Sequence, residues 1–493
     1  MSHTHNENCG SGCGGYGKSK NQKRKSLWNL AKWCQSEIDD DAGILDFDDL
    51  CIDTRKLKKG DVFVALKGET NDGHDYVKTA FENGAIAVIV EKKWFEKNRE
   101  NFKENIFIAV DNPLKAIQKA ANEYRKILGI PVIAITGSNG KTSTTSMLKT
   151  LLSRGFVIGG TKGNFNNDIG VPLSVLSLNG NEEMAIFEVG ANHAGEIAAL
   201  TTIIEPDMGI ITNIGFAHVG LFGGIEKTAE AKFELARAVS IHQGILLLNG
   251  DDEWSVKQNE IDRIPAFYFG LNEGNQIRAE NLKCNENGCY SFDFNGNRYE
   301  LSMAGIHCVY SVLPAIYLSL SMGISRQELQ KAVKELKPAS MRGEIEVISG
   351  RKVIADCYNA NPSSMQTSLR MFNDIPAKGL KGATVKSLCG DTANRIAVLG
   401  TMGELGDYET EQHIELGKSI MKYKVDKLIA VGSCAKLISD GAKLAGFNDK
   451  NIFIAQNAEE AGKIAKEISK ENDIILFKGS RSVGLEKAID MLK

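Results

Sequence analysis

The sequence predicts an α/β protein of several domains, and three observations predict it. The chain has 493 residues, too many for one hydrophobic core and enough for roughly three domains. Short apolar runs at 61–66, 85–90, 184–187, 208–214, 245–248, 353–355, 396–399, 427–431 and 474–477 alternate with stretches of helical periodicity, as strand–helix–strand crossovers require. A glycine-rich turn, Thr136-Gly137-Ser138-Asn139-Gly140-Lys141-Thr142-Ser143, joins the β-type run 130–135 to a helix-like stretch over 141–154.

Composition narrows the function classes. Hydrophobic residues make up 42% and charged ones 25%, ordinary for a soluble globular protein. A net charge of −3 supplies no field towards nucleic acid or anionic lipid, so small-molecule partners are expected. Ten cysteines are scattered without a regular framework, which in a long chain points to reduced thiols and a cytoplasmic protein. The polar start lacks the apolar stretch of a signal peptide, and no apolar run approaches the roughly 20 residues that span a bilayer.

Taken in order, residues 1–25 are rich in Gly, Ser, Asn and Lys, too polar to build a core, and read as a disordered tail. His3, His5, Cys9 and Cys13 lie there at a spacing that fits no standard zinc pattern. Residues 26–128 read as a small α/β domain, with strands at 61–66 and 85–90 and a helix near 76–82. Residues 129–337 form a central domain on a mostly parallel sheet, with a hairpin at 281–301 whose turns are Glu286-Asn287-Gly288 and Asn295-Gly296. Residues 338–493 read as a doubly wound, Rossmann-like domain, interrupted over 376–395 by an exposed insertion.

The glycine-rich turn carries the clearest chemistry. Gly137, Ser138, Asn139, Gly140 and Ser143 lie where backbone N–H groups and the helix's positive end would cradle a polyphosphate. Lys141 would reach the terminal phosphates of ATP and Thr142 would hold Mg²⁺. Ile135 stands where the first glycine of the full Walker pattern belongs. Glu188 follows a buried strand at its carboxyl end, where it either completes the Mg²⁺ shell or is a solvated strand-end carboxylate. His218 sits past the next strand; a loop histidine is by itself an ordinary surface residue. Lys232 lies on a helix over 225–239, where a snorkelling surface lysine is the plain expectation.

The amide-dense run Asn164-Phe165-Asn166-Asn167-Asp168 suits either a ligand's hydroxyl and phosphate oxygens or simple turn formation. Arg342, near the third domain's start, is placed to close on a phosphate. Asp356 ends a strand and is placed to accept ribose hydroxyls. Lys478, Ser480 and Arg481 follow the last strand as a carboxylate-binding loop.

Together these segments resemble the Mur ligases of bacterial wall synthesis, from about residue 52 to the end. Thr136 to Thr142 matches that family's shorter ATP loop, Thr-Gly-x-x-Gly-Lys-Thr. The runs 163–172 and 188–196 resemble its substrate and magnesium segments. Asp53-Thr54-Arg55, Phe63-Val64-Ala65-Leu66-Lys67-Gly68 and Asp72-Gly73-His74-Asp75 resemble its UDP-sugar domain, which assigns Thr54, Arg55, Lys67 and Gly68, with Asn164 and Asn167, to substrate binding. The resemblance implies that His218 is a ligand of a second Mg²⁺ and that Lys232 is the lysine that becomes carbamylated. It places His307, Arg342 and Asp356 at the nucleotide. Asn359, Asn361, Lys478, Ser480 and Arg481 fall at substrate, in the branch that adds D-alanyl-D-alanine to a UDP-N-acetylmuramoyl-tripeptide. The catalytic set it implies is Lys141, Glu188, His218, Lys232 and Arg342, in a cytoplasmic, monomeric ATP-dependent amide ligase. Two positions depart from the family pattern: Ser311 replaces an asparagine, and Thr401 replaces the acid in Gly400-Thr401-Met402-Gly403-Glu404-Leu405-Gly406.

Overall fold

The computed structural model describes residues 23–375 and 393–493. The tail with its His3, His5, Cys9 and Cys13, and nearly all of the insertion read over 376–395, lie outside the described residues. Arg395, taken as the insertion's last residue, instead opens a strand and is buried. Its guanidinium lies 4.6 Å from the centre of the Phe372 ring and donates to the Ile375 carbonyl at 2.7 Å.

The architecture is α/β with mostly parallel sheets. The first sheet takes β1 (Leu50–Cys51), β2 (Val62–Val64), β3 (Ala87–Glu91) and β4 (Phe107–Val110) in sequence order, all parallel. A second sheet is formed by β5 (Val132–Thr136), β6 (Ile158–Gly160), β7 (Met184–Glu188), β8 (Met208–Ile211), β9 (Ile245–Asn249), β10 (Phe267–Gly270) and β11 (Ile277–Arg278). Its order is β11-β10-β9-β8-β5-β7-β6, and β5, β8, β9, β10 and β11 pair in parallel.

The segment read as one hairpin is a three-stranded antiparallel sheet, β12 (Glu280–Cys284), β13 (Cys289–Phe294) and β14 (Asn297–Ala304). Two turn signals were present in the sequence, and two turns need three strands.

The last sheet comprises β15 (Glu344–Ile348), β16 (Arg351–Ala355), β17 (Arg395–Gly400), β18 (Lys427–Val431), β19 (Ile452–Ala455) and β20 (Ile474–Lys478), in the order β15-β16-β20-β17-β18-β19. Only β15 is antiparallel to its neighbour. Successive strand residues point to opposite faces, and here both faces are covered. Ala397, Leu399, Leu428, Ala430 and Leu476 enter one core. Ile396, Val398, Ile429, Val431, Ile475 and Phe477 enter the other. That double burial is why these strands read as continuous apolar runs.

The chain divides into two compact units. One holds the residues up to 132 with 157–185 and 199–205; the other holds 133–156, 186–198 and 206–493. In the first, Phe63, Ala65, Val77, Ala80, Val88 and Val90 make the core under the sheet. Its longest helix, Pro113–Leu128, starts where the Asn112 side chain accepts from Lys115 N and ends at Gly129 in the left-handed region. Ala116, Ile117, Ala120, Ala121, Tyr124 and Leu128 form its buried stripe, at the spacing a helix face requires. Among the described residues, no helix is long and apolar enough to cross a membrane.

Candidate active site

The phosphate loop is held in shape by its neighbours in the second unit. Gly137 has φ +146°, and a Cβ there would fall 1.9 Å from Thr212 Oγ1, so no larger residue fits. Past β8, Asn213 accepts from Ser138 N through its carbonyl at 2.9 Å and from Asn139 N through Oδ1 at 3.0 Å. Thr212 Oγ1 donates to the Asn139 carbonyl at 2.6 Å, and Ser138 Oγ to the Gly215 carbonyl at 3.0 Å. Gly140, at φ +81°, begins the helix Lys141–Leu152 with no side chain capping it. The first N–H groups of that helix therefore have no capping side chain, as an anion site requires.

Lys141 folds back so that Nζ donates to the Gly137 carbonyl at 2.7 Å. Burial lowers its pKa, Glu188 opposes that, and Arg342 adds to it. Thr142 Oγ1 donates to Glu188 Oε2 at 2.9 Å. Glu188 is the last residue of β7 and only 4% exposed, so the solvated reading of this carboxylate does not hold. The two side chains put hard oxygen donors side by side, the chemistry that suits Mg²⁺.

The plain expectation for Lys232 also fails. It lies inside the helix Ile225–Ile241 and is 1% exposed, with Nζ 5.5 Å from the centre of the Phe222 ring. Burial, then repulsion from Lys141, brings its pKa down to about 7, with Glu234 opposing. His218 starts the short helix Val219–Phe222 at φ +58°, and its Nδ1 lies against a carboxylate oxygen of Glu404. Burial lowers the His218 pKa; Glu404 raises it, and Lys141 and Lys232 lower it further. The charge of Lys141 thus acts on both His218 and Lys232, and that of Lys232 on His218, which brings three residues far apart in sequence into one neighbourhood.

Residues after position 338 also reach this site. Asn361 and Asn139 exchange side-chain amide bonds at 2.8 and 3.3 Å. Asn361 also caps the helix Pro362–Asp374 by accepting from Ser364 N at 2.9 Å. The Arg342 guanidinium lies 4.1 Å from the centre of the Tyr358 ring. Asp356 and Lys478, expected at nucleotide and substrate respectively, are paired with each other at 3.1 Å. Ser368 Oγ donates to Asp356, and Lys478 is 4% exposed. His307 is near that pair: burial lowers its pKa, Asp356 raises it and Lys478 lowers it. Ser480 is buried and close to Ser482 Oγ at 3.0 Å, while Arg481 faces Glu486 at 3.4 Å. Asn359 Oδ1 accepts from Ala360 N at 2.8 Å.

The departures have structural places. Ser311 is buried, with Oγ 3.6 Å from where a Cβ on Gly140 would lie. Thr401 Oγ1 accepts from Cys434 N at 3.2 Å, a bond within the sheet's own loops.

The remaining expected substrate residues lie in the first unit. Arg55 is 87% exposed and bidentate to Asp53, through Nε at 2.8 Å and Nη2 at 2.9 Å. This pairing holds the Asp53 carboxyl down to about 2. The Thr54 carbonyl accepts from Asn83 Nδ2 at 3.0 Å, the Lys67 backbone forms an isolated antiparallel β-bridge with that of Asp72, and Gly68 N donates to the Asn71 carbonyl at 2.8 Å. Asn167 Oδ1 accepts from Gly170 N at 2.8 Å, whereas Asn164 is exposed.

Residues 47–125 match the Mur ligase family catalytic domain, 135–319 the Mur ligase middle domain, and 341–481 the Mur ligase glutamate ligase domain. The chain belongs to the Mur ligase family. Among Mur ligases, it is 35% identical over 441 residues to the UDP-N-acetylmuramoyl-tripeptide–D-alanyl-D-alanine ligase of Bacillus subtilis, covering 89% of this chain and 91% of that protein. The enzyme of the same name from Rickettsia prowazekii is 32% identical, over 89% and 93% of the two chains. The crystal structure of MurF from Acinetobacter baumannii superposes with a TM-score of 0.81 at 28% identity, over 95% of this chain and 99% of that one. MurF ligase from Thermotoga maritima, solved in complex with ADP, gives 0.74 at 27% identity, over 90% and 96%.

Proposed function

We propose that this Mur ligase joins D-alanyl-D-alanine to UDP-N-acetylmuramoyl-tripeptide at the expense of ATP, giving the UDP-muramyl-pentapeptide of peptidoglycan synthesis. The observation that carries the substrate assignment is the likeness to ligases of that name over nine-tenths of their length. The tethered phosphate loop supports the use of ATP. The reaction runs in two displacements. The tripeptide's terminal carboxylate attacks the γ-phosphorus and ADP leaves; the dipeptide's amine then attacks the acyl carbon and inorganic phosphate leaves.

Lys141 and Arg342 are the cations that would balance charge building on the transferred phosphoryl group. Thr142 and Glu188 fit Mg²⁺ as adjacent oxygen donors, and we place His218 and carbamylated Lys232 at a second ion. Bound Mg²⁺ would neutralise phosphate and carboxylate charge. Carbamylation needs a neutral amine, and Lys232 at about 7 supplies one near neutral pH. The neutral Nζ forms a bond to the carbon of CO₂ and releases one proton, leaving a carboxylate in place of the buried amine. We place Thr54, Arg55, Lys67, Gly68, Asn164 and Asn167 at the UDP-sugar substrate, and Asn359, Ser480 and Arg481 at the acceptor. The domains we assign are 26–128, 129–337 and 338–493, in a cytoplasmic monomer where its nucleotide substrates are found.

The test is phosphate release by the purified enzyme. Release should require ATP, the UDP-muramyl-tripeptide and D-alanyl-D-alanine together. Equal release without the dipeptide would refute the ligation.

A further inference from the structure

One carboxylate at the site has no part in the reading above. Glu404 touches His218 Nδ1, and both residues have left-handed backbones, at φ +62° and φ +58°. That conformation is costly for residues other than glycine and persists where surrounding structure enforces it. The enforcement is visible: Gly220 N donates to the Glu404 carbonyl at 3.1 Å. A Cβ on Gly220 would come within 2.5 Å of Gly406 N, so two glycines let the two loops close on each other. Phe216 meets Tyr408 edge-on beside them, ring centres 6.0 Å apart.

Packing two loops together does not call for a carboxylate against an imidazole. Nδ1 is sealed from solvent and meets no hydrogen-bond partner other than the adjacent Glu404 carboxylate, which lies against it without hydrogen-bond alignment. The His218 side chain is nevertheless 23% exposed, so the open part of the ring lies away from Nδ1. A carboxylate on one ring nitrogen fixes the tautomer and leaves the other nitrogen's lone pair free for a cation. We propose that Glu404 is a positioning residue that holds His218 so that Nε2 is presented to a divalent cation. This rests on His218 being a cation ligand, as proposed above. Because Glu404 lies beyond residue 338 and His218 before it, the ligand is oriented only when those two loops are docked.

The experiment measures Mn²⁺ binding to the full-length enzyme by electron paramagnetic resonance, with ADP present. Glu404→Gly removes the carboxylate and relieves the left-handed backbone, so lost binding could not be laid to strain. It should weaken Mn²⁺ by roughly 10- to 100-fold without lowering the melting temperature. It should also raise the Mg²⁺ concentration for half-maximal turnover, with the rate recovering at high Mg²⁺. Glu404→Gln keeps an oxygen acceptor and should fall between; if Glu404→Gly does not fold, unchanged Mn²⁺ affinity in Glu404→Gln overturns the proposal. His218→Ala separates the two ideas. If it loses Mn²⁺ while Glu404→Gly binds normally, the positioning role is wrong and the ligand stands. If His218→Ala binds Mn²⁺ like the parent, both fall.

Discussion

Lys232 gives the sharpest prediction, because its burial has consequences for both stability and rate. Its pKa is drawn from the ordinary 10.5 to about 7. At neutral pH that raises the fraction of neutral, CO₂-reactive amine roughly a thousandfold. The same shift is an energetic cost on the order of a few kcal/mol for keeping a cation in a buried site. Between pH 7 and 10.5 the unfolded chain holds a proton at this lysine that the folded chain lacks, so folding becomes more favourable as pH rises. Below pH 7 both states are protonated and the cost is fully present. Lys232→Met should therefore melt higher than the parent at pH 7 in carbonate-free buffer, and the gap should shrink towards pH 10. Adding bicarbonate should raise the parent's melting temperature and leave Lys232→Met unchanged. In turnover, Lys232→Ala should fold and lose on the order of a hundredfold in rate, partly restored by acetate filling the vacated space. Full activity of Lys232→Ala at low bicarbonate, or no bicarbonate effect on the parent, would refute the reasoning.

Lys141→Ala should retain its fold and lose on the order of a hundredfold or more in turnover, since a cation beside the transferred phosphoryl group is removed; phosphate release in a variant with parental melting checks this. Gly137→Ala sets a Cβ 1.9 Å from Thr212 Oγ1 and should weaken ATP binding sharply by calorimetry, whereas parental affinity would mean that the loop adapts. Asn361→Ala removes both a helix cap and the amide pair with Asn139. It should cost about 1–2 kcal/mol in chemical denaturation and lower ATP affinity, while Ser364→Ala, touching the cap alone, should spare the nucleotide.

The parts of the fold legible in the sequence were those governed by local pattern. The apolar run before Gly137 and the helix after Gly140 mark the phosphate loop without any tertiary knowledge, and Glu188 could be placed at a strand end. The runs 396–399, 427–431 and 474–477 stand out because both faces of that sheet are covered. β15 escaped notice because Glu344 and Glu346 sit on a largely exposed edge strand, and β19 because it too is an edge. Pairings across long sequence separations were not legible. Nothing in the sequence links Ser138 to Gly215, Asn139 to Asn361, Asp356 to Lys478, or His218 to Glu404. For Lys232 the local view pointed the wrong way, since a helical lysine is ordinarily a surface residue and only the family resemblance marked it. Thr212 and Asn213, which brace the loop, carried a faint signal: two short polar residues directly after a buried strand facing a glycine-rich turn.

The central claim is a specific ligation, and the mass of the product tests it most directly. The enzyme incubated with ATP, UDP-N-acetylmuramoyl-tripeptide and D-alanyl-D-alanine should yield the UDP-muramyl-pentapeptide together with ADP in equal amount. A single amino acid offered in place of the dipeptide should give no product. ATP turnover that yields no pentapeptide, or a product carrying one added residue, would contradict the account.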